Sequence, residues 1–432
     1  MIRPRYLFIF ILIPFGLLAQ QNDSSFQVLK LYTGLCADQP LLYIPSAVKP
    51  FRQLQVSGQA SFNSSFVDAG FASSVFNNQF IDVLDKDRVQ ERMFEKGNFL
   101  QIGYSYGIQY AWQNDSSLFT HQISLTDKSA TQVELTKGLY RLVMYGNGAN
   151  SGLVDLGYNE LFDLRFRQLG YNIFYRPMPN LIVYGSLGIQ QGLRYHHAYM
   201  AQASLNTYDY GEKIDLRYRF SYAGIEKPEQ NLVFHYTGFS LSGGAVFSSN
   251  PSRYQAWVGF NDISTINTRS YTSLYVASAE KTFEGVEVNN LFDITDTTFS
   301  AIDSDSLLRY LEVEQFNTGV TDALPFYFQV GYKRNFNKGY FTQLQASYYT
   351  AAKFHYPLLL ITAGKTIGYF EPALTGSVGG YRQGHLGLQL LYHIGRTKYD
   401  MNVLIRTHTI DALIFPDDRT ALNATAMIQF TF

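Results

Sequence analysis

Thr420-Ala421-Leu422-Asn423-Ala424-Thr425-Ala426-Met427-Ile428-Gln429-Phe430-Thr431-Phe432 is the stretch whose reading decides the fold. Leu422, Ala424, Ala426, Ile428, Phe430 and Phe432 alternate with Asn423, Thr425, Gln429 and Thr431, and Met427 is the one exception. Successive side chains of a strand point to opposite faces, so this ribbon has one apolar and one polar side. On a soluble protein such an edge would recruit other chains. A wall strand of an outer-membrane barrel, with lipid outside and a polar lumen inside, requires the same pattern. The sequence therefore predicts an all-β fold, a transmembrane antiparallel β-barrel over residues 51–432 in the bacterial cell outer membrane.

The other end of the chain agrees. Arg3 and Arg5 precede an apolar run from Tyr6 to Leu18, and Ala19 is followed by Gln20 and Gln21. A basic start, an apolar core and a small residue before a polar stretch predict a signal peptide over residues 1–19. The run is shorter than the ~20 apolar residues of a membrane-spanning helix. Beyond it no stretch of about 18 apolar residues occurs, which excludes helical spans. Aromatic residues make up 16% of the chain and charged residues another 16%. Charge is far below the ~25% of an ordinary globular protein, and the rings suit girdles at two membrane interfaces. A formal net charge of −1 advertises no nucleic-acid partner. Cys36 is the sole cysteine, so no internal disulfide can form.

Pro40, Pro45 and Pro50 break regular structure over residues 20–50, read as an amino-terminal lead-in or small plug. Alternation begins over Phe51 to Phe62 and returns over Phe99 to Trp112, Leu118 to Leu125, Glu160 to Arg176 and Asn180 to Met200. It continues over residues 213–222, Tyr254 to Ile263, Ser270 to Ala279, Pro325 to Asn335, Gly339 to Phe354, Ala373 to Tyr381, His385 to Ile394 and Lys398 to Thr409. With less regular segments the count is about 14 strands, an even number as in bacterial barrels. A short helix is expected near Lys86 to Phe94. Over residues 129–145 the apolar spacing turns helical, so 129–157 reads either as an ordinary loop or as a helix and loop folded into the lumen. Residues 284–322 carry nine acids against the single base Arg309, an acidic insertion placed on the extracellular side with the long loops.

Asp163, Arg165 and Arg167 alternate along one predicted strand, and Lys213, Asp215, Arg217 and Arg219 along another. On a spanning strand the lipid side is closed to Arg and Lys at ~2–4 kcal/mol each at the midplane, so these charges are expected to line the lumen. Gln343 and Gln345 join that lumen-lining set. The rows read either as mixed-sign rings screening solutes or as an ion-paired network filling a narrow lumen. No catalytic, cofactor-binding or metal-binding residues are assigned, because no nucleophile elbow, H-E-x-x-H, phosphate loop or zinc spacing occurs. His196 and His197 are adjacent, and on a strand they face opposite sides. Asp303-Ser304-Asp305 opens like a calcium loop but lacks its glycine and terminal glutamate.

Several short motifs carry a resemblance: Gly146-Asn147-Gly148, Gly152-Leu153-Val154-Asp155-Leu156, Tyr158-Asn159-Glu160, Leu169-Gly170-Tyr171, Asn63-Ser64-Ser65-Phe66 and Asp85-Lys86-Asp87. Through them the chain resembles a family of Bacteroidota outer-membrane β-barrel proteins defined only as a domain of unknown function. In outline that family is similar to the FadL-like channels for hydrophobic compounds. Tyr43-Ile44-Pro45-Ser46-Ala47 resembles, more weakly, the amino-terminal signature of PorP/SprF-type barrels. The strand ending at Phe432 resembles the signal by which the barrel-assembly machinery recognises its clients. The expected partners are therefore outer-membrane lipid, that machinery and a small, partly apolar solute. The leading expectation is a channel or carrier for such a solute, and the alternative is a non-transporting partner of an envelope assembly such as a type IX secretion or gliding machine.

Overall fold

The computed structural model describes residues 50–432 except 78, 115–116, 147–151, 209–212, 226–236, 251–252, 269–271, 285–311, 324–325, 352–353, 380–383, 396–399 and 417–419, together with Val28–Lys30 and Tyr43–Pro45. Fourteen antiparallel strands close into a barrel. They are β1 (Phe51–Ser64), β2 (Asn98–Gln113), β3 (Phe119–Leu135), β4 (Asn159–Met178), β5 (Leu181–Tyr208), β6 (Thr237–Asn250) and β7 (Tyr254–Asn267). The ring continues with β8 (Phe326–Asn335), β9 (Tyr340–Ala351), β10 (Phe354–Lys365), β11 (Phe370–Gly379), β12 (Gly384–Gly395), β13 (Asp400–Thr407) and β14 (Ala421–Thr431). β14 pairs with β1, Phe430 opposite Leu54 and Ala424 opposite Ala60, which seals the wall. Closure leaves no sheet edge, the condition for strands to cross lipid.

The apolar row of β14 faces outward with Leu54 and Val56 of β1, and the odd Met427 turns inward to pack on Leu391 and Leu404. Near the end that holds Phe51 and Phe432, outward rings stack across strands: Trp112 on His121, Phe119 on Tyr175, Tyr254 near Tyr332 and Phe370 on Tyr392. This is an interfacial aromatic girdle. Connections at this end are short, such as residues 114–118, 179–180 and 336–339. At the other end they run over 65–97, 136–158, 209–236 and 268–325. Long loops mark the extracellular side, so that end is outside the cell.

On one side the wall rises well past the membrane. β5 pairs with β6 only through Gln191, and its remaining length pairs with a strand over Lys213–Gly224. That strand pairs with Thr272–Glu284, which pairs with Val313–Thr318. Helices α1 (Ala69–Phe76), α2 (Val83–Arg92) and α3 (Lys137–Tyr145) gather beside this extension. Phe66, Phe71, Val89, Met93 and Tyr140 form their core, closed by Phe62, Leu100 and Leu135, which lie on the outward register of β1–β3. Leu139 and Leu142 pack on Leu156, Ala203 and Leu205, again on the outward face.

These positions correct the lumen reading of residues 129–157. Residues up to Leu135 belong to wall strand β3, and α3 lies against the outside of the raised wall. Its apolar stripe answers the outward apolar rows of β5 and of Lys213–Gly224, which stand above the lipid and need a cover. The stretch 20–50 lies outside the described residues except for the pairing of Val28–Lys30 with Tyr43–Pro45. The signal segment, Cys36 and Asp303–Asp305 also lie outside them.

Candidate functional site in the barrel lumen

Inward positions carry a set of glutamines. Gln190, Gln329 and Gln429 are 0%, 1% and 1% exposed, values that a water-filled channel would not leave. Several of these amides bond to polar side chains on neighbouring strands, as Gln190 Nε2 does to Gln168 Oε1 at 3.1 Å. Asn402 Nδ2 donates to Gln429 Oε1 at 3.0 Å and Gln429 Nε2 to Gln55 Oε1 at 3.3 Å. On the adjoining strands β2–β4 Asn172 Nδ2 donates to Gln122 Oε1 at 3.0 Å, and Gln122 Nε2 to Gln109 Oε1 at 2.7 Å. Below them Phe174, Ile182, Val246 and Trp257 form an apolar cluster pointing inward. A Cβ on Gly331 would come within 2.1 Å of the Trp257 indole, so glycine is what lets that ring lie flat on β8. Lys333 and Glu371, each with a side chain 4% exposed, approach to 3.6 Å in the same half of the lumen.

At mid-height Lys128 Nζ meets Asp262 Oδ2 at 2.8 Å, both side chains buried. Asp262 sits at a β-bulge between β6 and β7, where the register slips between Leu241 and Gly243, and its φ is +58°. That left-handed conformation costs a non-glycine residue about 1–3 kcal/mol and persists only where neighbours hold it. Here they do. The Asp262 amide donates to Ser242 Oγ at 3.0 Å, Ser264 Oγ donates to its carbonyl at 3.0 Å, and Gln168 Nε2 donates to Oδ1 at 3.0 Å. The bulge adds a residue to β7, which is what turns an acidic side chain into the lumen at this level.

The pair separates two cavities, and both residues line each of them. The lower one measures about 50 Å³ and lies among Gln122, Gln168, Asn172 and Tyr184. The upper one measures about 160 Å³ and opens among Gln59, Ser61, Gln101, Phe166, Leu358, His408 and Asn423. Over it lies α4 (Ile410–Ile414), whose Asp411 carboxylate stands 3.4 Å from His385 Nδ1. His408 follows the end of β13 and is 5% exposed, and neither ring nitrogen has a protein hydrogen-bond partner. Burial, aided by the positive Arg406, holds its imidazole well below the usual histidine value, so the ring is neutral.

The residues expected to line the lumen divide. Gln343 and Gln345 share the inward register with Gln329 and Lys333, and Gln345 Nε2 donates to the Tyr327 hydroxyl at 3.3 Å. Asp163, Arg165 and Arg167 face outward, a correction. Arg165 and Arg167 clasp Asp127, each Nε about 3 Å from it (3.0 and 3.1 Å), and Arg194 Nη2 donates to Asp163 at 3.0 Å. The inward positions between them are Phe162, Leu164 and Phe166, packed with Tyr195 and Ala223. The rule that places alternating charges inward holds only in the span crossed by lipid. β4 is a 20-residue strand, about twice the 9–11 residues a crossing needs, and its charged part lies above the outward Leu169, Tyr171, Ile173 and Tyr175.

Lys213, Asp215, Arg217 and Arg219 lie on the inward register but in the raised wall above the barrel. Arg217 pairs with Glu280 at 2.7 Å, with both side chains more than half exposed. His196 turns outward to the Tyr222 hydroxyl at 2.7 Å, and His197 turns inward to Glu160 at 2.8 Å. Among the described residues no group of three metal-ligating side chains forms. Sequence reasoning missed Lys128, Asp262 and His408. The signal for Asp262 was present, since Asn261 and Asp262 together break the alternation of β7.

No protein-family model matches the chain, and no curated protein matches it in sequence. Solved structures are similar to it at low identity. The toluene transporter TbuX of Ralstonia pickettii is 8% identical at a TM-score of 0.44, over 88% of this chain and 89% of that one. The toluene transporter TodX of Pseudomonas putida is 8% identical at 0.40, over 88% and 87%. A FadL homologue of Pseudomonas aeruginosa is 9% identical at 0.41, over 89% and 90%.

Proposed function

We propose that the protein is a channel or carrier for a small, partly apolar solute, which enters from the extracellular side and passes a closed constriction at Lys128 and Asp262. The observation that carries this is the upper cavity with a strained, buried ion pair at its floor. A wall meant only to span lipid has no need of a positive-φ aspartate in its lumen. Strain of that kind clusters where a structure must switch between two states. The lumen below is filled with side chains, so passage requires them to move. The test is uptake of a radiolabelled, partly apolar solute by cells with and without the protein. Faster uptake is expected with it, and equal rates with a folded barrel present would refute the reading.

A second reading is a barrel that docks an envelope assembly. Its support is the outer surface of the helical layer, where Phe80, Leu84 and Val143 are 90%, 77% and 68% exposed above the membrane. Single exposed apolar residues are ordinary, but a set of them on one small layer marks a contact surface. Co-purification of a stoichiometric partner that is lost on changing Phe80 and Leu84 to Ser supports it. Isolation of the intact barrel alone counts against it.

A further inference from the structure

We propose that Arg165 and Arg167 form a docking site for the phosphate of an outer-leaflet lipid headgroup, on the outside of the barrel wall where the lipid ends. The proposal is independent of what crosses the lumen.

Its first support is continuity with the lipid-facing surface. Along β4 the outward row runs Tyr175, Ile173, Tyr171, Leu169, Arg167 and Arg165, apolar or aromatic up to Leu169 and cationic directly beyond it. On β3 Leu125 stands opposite Leu169 and Asp127 opposite Arg167, and on β2 Ile108 stands opposite Leu125 and Tyr106 opposite Asp127. Leu169, Leu125, Ile108 and Tyr106 are all about half exposed, as residues that lipid covers must be in the bare chain. The same face therefore passes from lipid to guanidinium within one step of each strand.

The second support is height. Tyr175 belongs to the periplasmic girdle, and eight and ten residues separate it from Arg167 and Arg165. At about 3.3 Å per residue and a strand tilt near 40°, the two stand about 20 and 25 Å above that girdle. The apolar band of such a barrel is about 25 Å tall, so these guanidiniums lie where outer-leaflet headgroups begin. Tyr104 and Tyr106 stack at the same level, with centroids 5.8 Å apart, as amphipathic rings do at headgroup depth.

The third support is preorganised charge. Arg165 Nε and Nη2 donate to Asp127 Oδ1 and Oδ2 at 3.0 and 3.2 Å, and Arg167 Nε donates to Oδ2 at 3.1 Å. One carboxylate, 5% exposed, thus holds two guanidiniums side by side, and the Arg167 side chain is 54% exposed. The next carboxylate on the row, Asp163, accepts from Arg194 and Thr131 instead. A guanidinium is a planar fork of N–H donors that matches phosphate oxygens, and the bonds to Asp127 leave most of each fork for another acceptor. A phosphate has enough oxygens to bridge both forks, and Asp127 has already ordered them.

The experiment is native mass spectrometry of the refolded full-length barrel, titrated with phosphorylated lipid A and with dephosphorylated lipid A of the same acyl chains. The phosphorylated lipid is expected to bind about twenty-five-fold more tightly, about fivefold for each arginine at an anionic surface. Arg165→Gln with Arg167→Gln should remove most of that preference. Arg334→Gln, which removes an outward arginine beside Phe336 at the periplasmic end, should keep it. Inorganic phosphate in excess should not displace the lipid, and displacement would make this a free-anion site and overturn the lipid assignment. Equal affinities for the two lipids, a preference that survives the double variant, or an equal loss in Arg334→Gln would also overturn it. Should the double variant fail to fold, Arg167→Gln alone leaves the Asp127–Arg165 pair whole. A loss of about fivefold is expected there, and an unchanged preference refutes the site.

Discussion

Removing the Asp262 carboxylate should destabilise the barrel more than any surface change, and in a way that reveals both the ion pair and the backbone strain. Asp262→Ala leaves the Lys128 ammonium buried, with its 2.8 Å partner gone. Loss of one member of a buried pair costs about 3–5 kcal/mol. Asp262→Gly removes the same carboxylate but also relieves the positive φ, which costs a residue with a Cβ about 1 kcal/mol at the low end. The glycine variant should therefore be about 1 kcal/mol more stable than the alanine variant, the reverse of the usual Gly–Ala order in a strand. Adding Lys128→Met to Asp262→Gly should recover stability rather than lose more, because the uncompensated charge disappears. The assay is equilibrium unfolding of the refolded barrel in micelles, run as a double-mutant cycle. Additive losses within about 0.5 kcal/mol would refute the coupling, and an alanine variant as stable as the glycine one would refute the strain.

Below the ordinary histidine range the barrel should lose stability because of His408. Its folded value is depressed, so the contribution is complete above the unfolded imidazole value and falls as pH drops through it, by about 1.4 kcal/mol per pH unit until the folded group titrates. His408→Phe should flatten that limb of the profile, and an unchanged slope would count against a neutral buried ring. Tyr140→Ala removes a side chain 3% exposed that packs edge-on to Phe66 and donates to the Lys86 carbonyl at 3.0 Å. About 3–5 kcal/mol should be lost from the helical layer, read as protease cleavage within residues 65–97 of an otherwise intact barrel. Arg165→Glu with Arg167→Glu should leave solute uptake unchanged because both side chains face outward, and altered uptake would return them to the route.

Much of the wall was legible because lipid imposes a strict rule on every outward position. The row Leu422 to Phe432 obeys it without exception, and Met427 departs from it only by facing inward. Two strands were missed for opposite reasons. Thr237–Asn250 carries small residues, Ser240, Ser242, Gly243 and Gly244, so its alternation is faint. In Phe354–Lys365 the inward Leu358 and Leu360 are as apolar as the outward Leu359 and Ile361, so alternation vanishes. The charged faces misled because the strand pattern does not show where lipid ends. Above that boundary Arg165 can face outward and Phe162 inward. The ion pair was unreadable for another reason. Lys128 and Asp262 are 134 residues apart, and the bulge that aims the carboxylate shifts the parity on which inward and outward were assigned.

Single-channel conductance of the purified barrel in a planar bilayer tests the closed lumen most directly. The account predicts no steady ion current through the intact protein, and brief openings once Lys128→Met and Asp262→Gly remove the pair that divides the two cavities. A steady current through the intact, folded protein would contradict it.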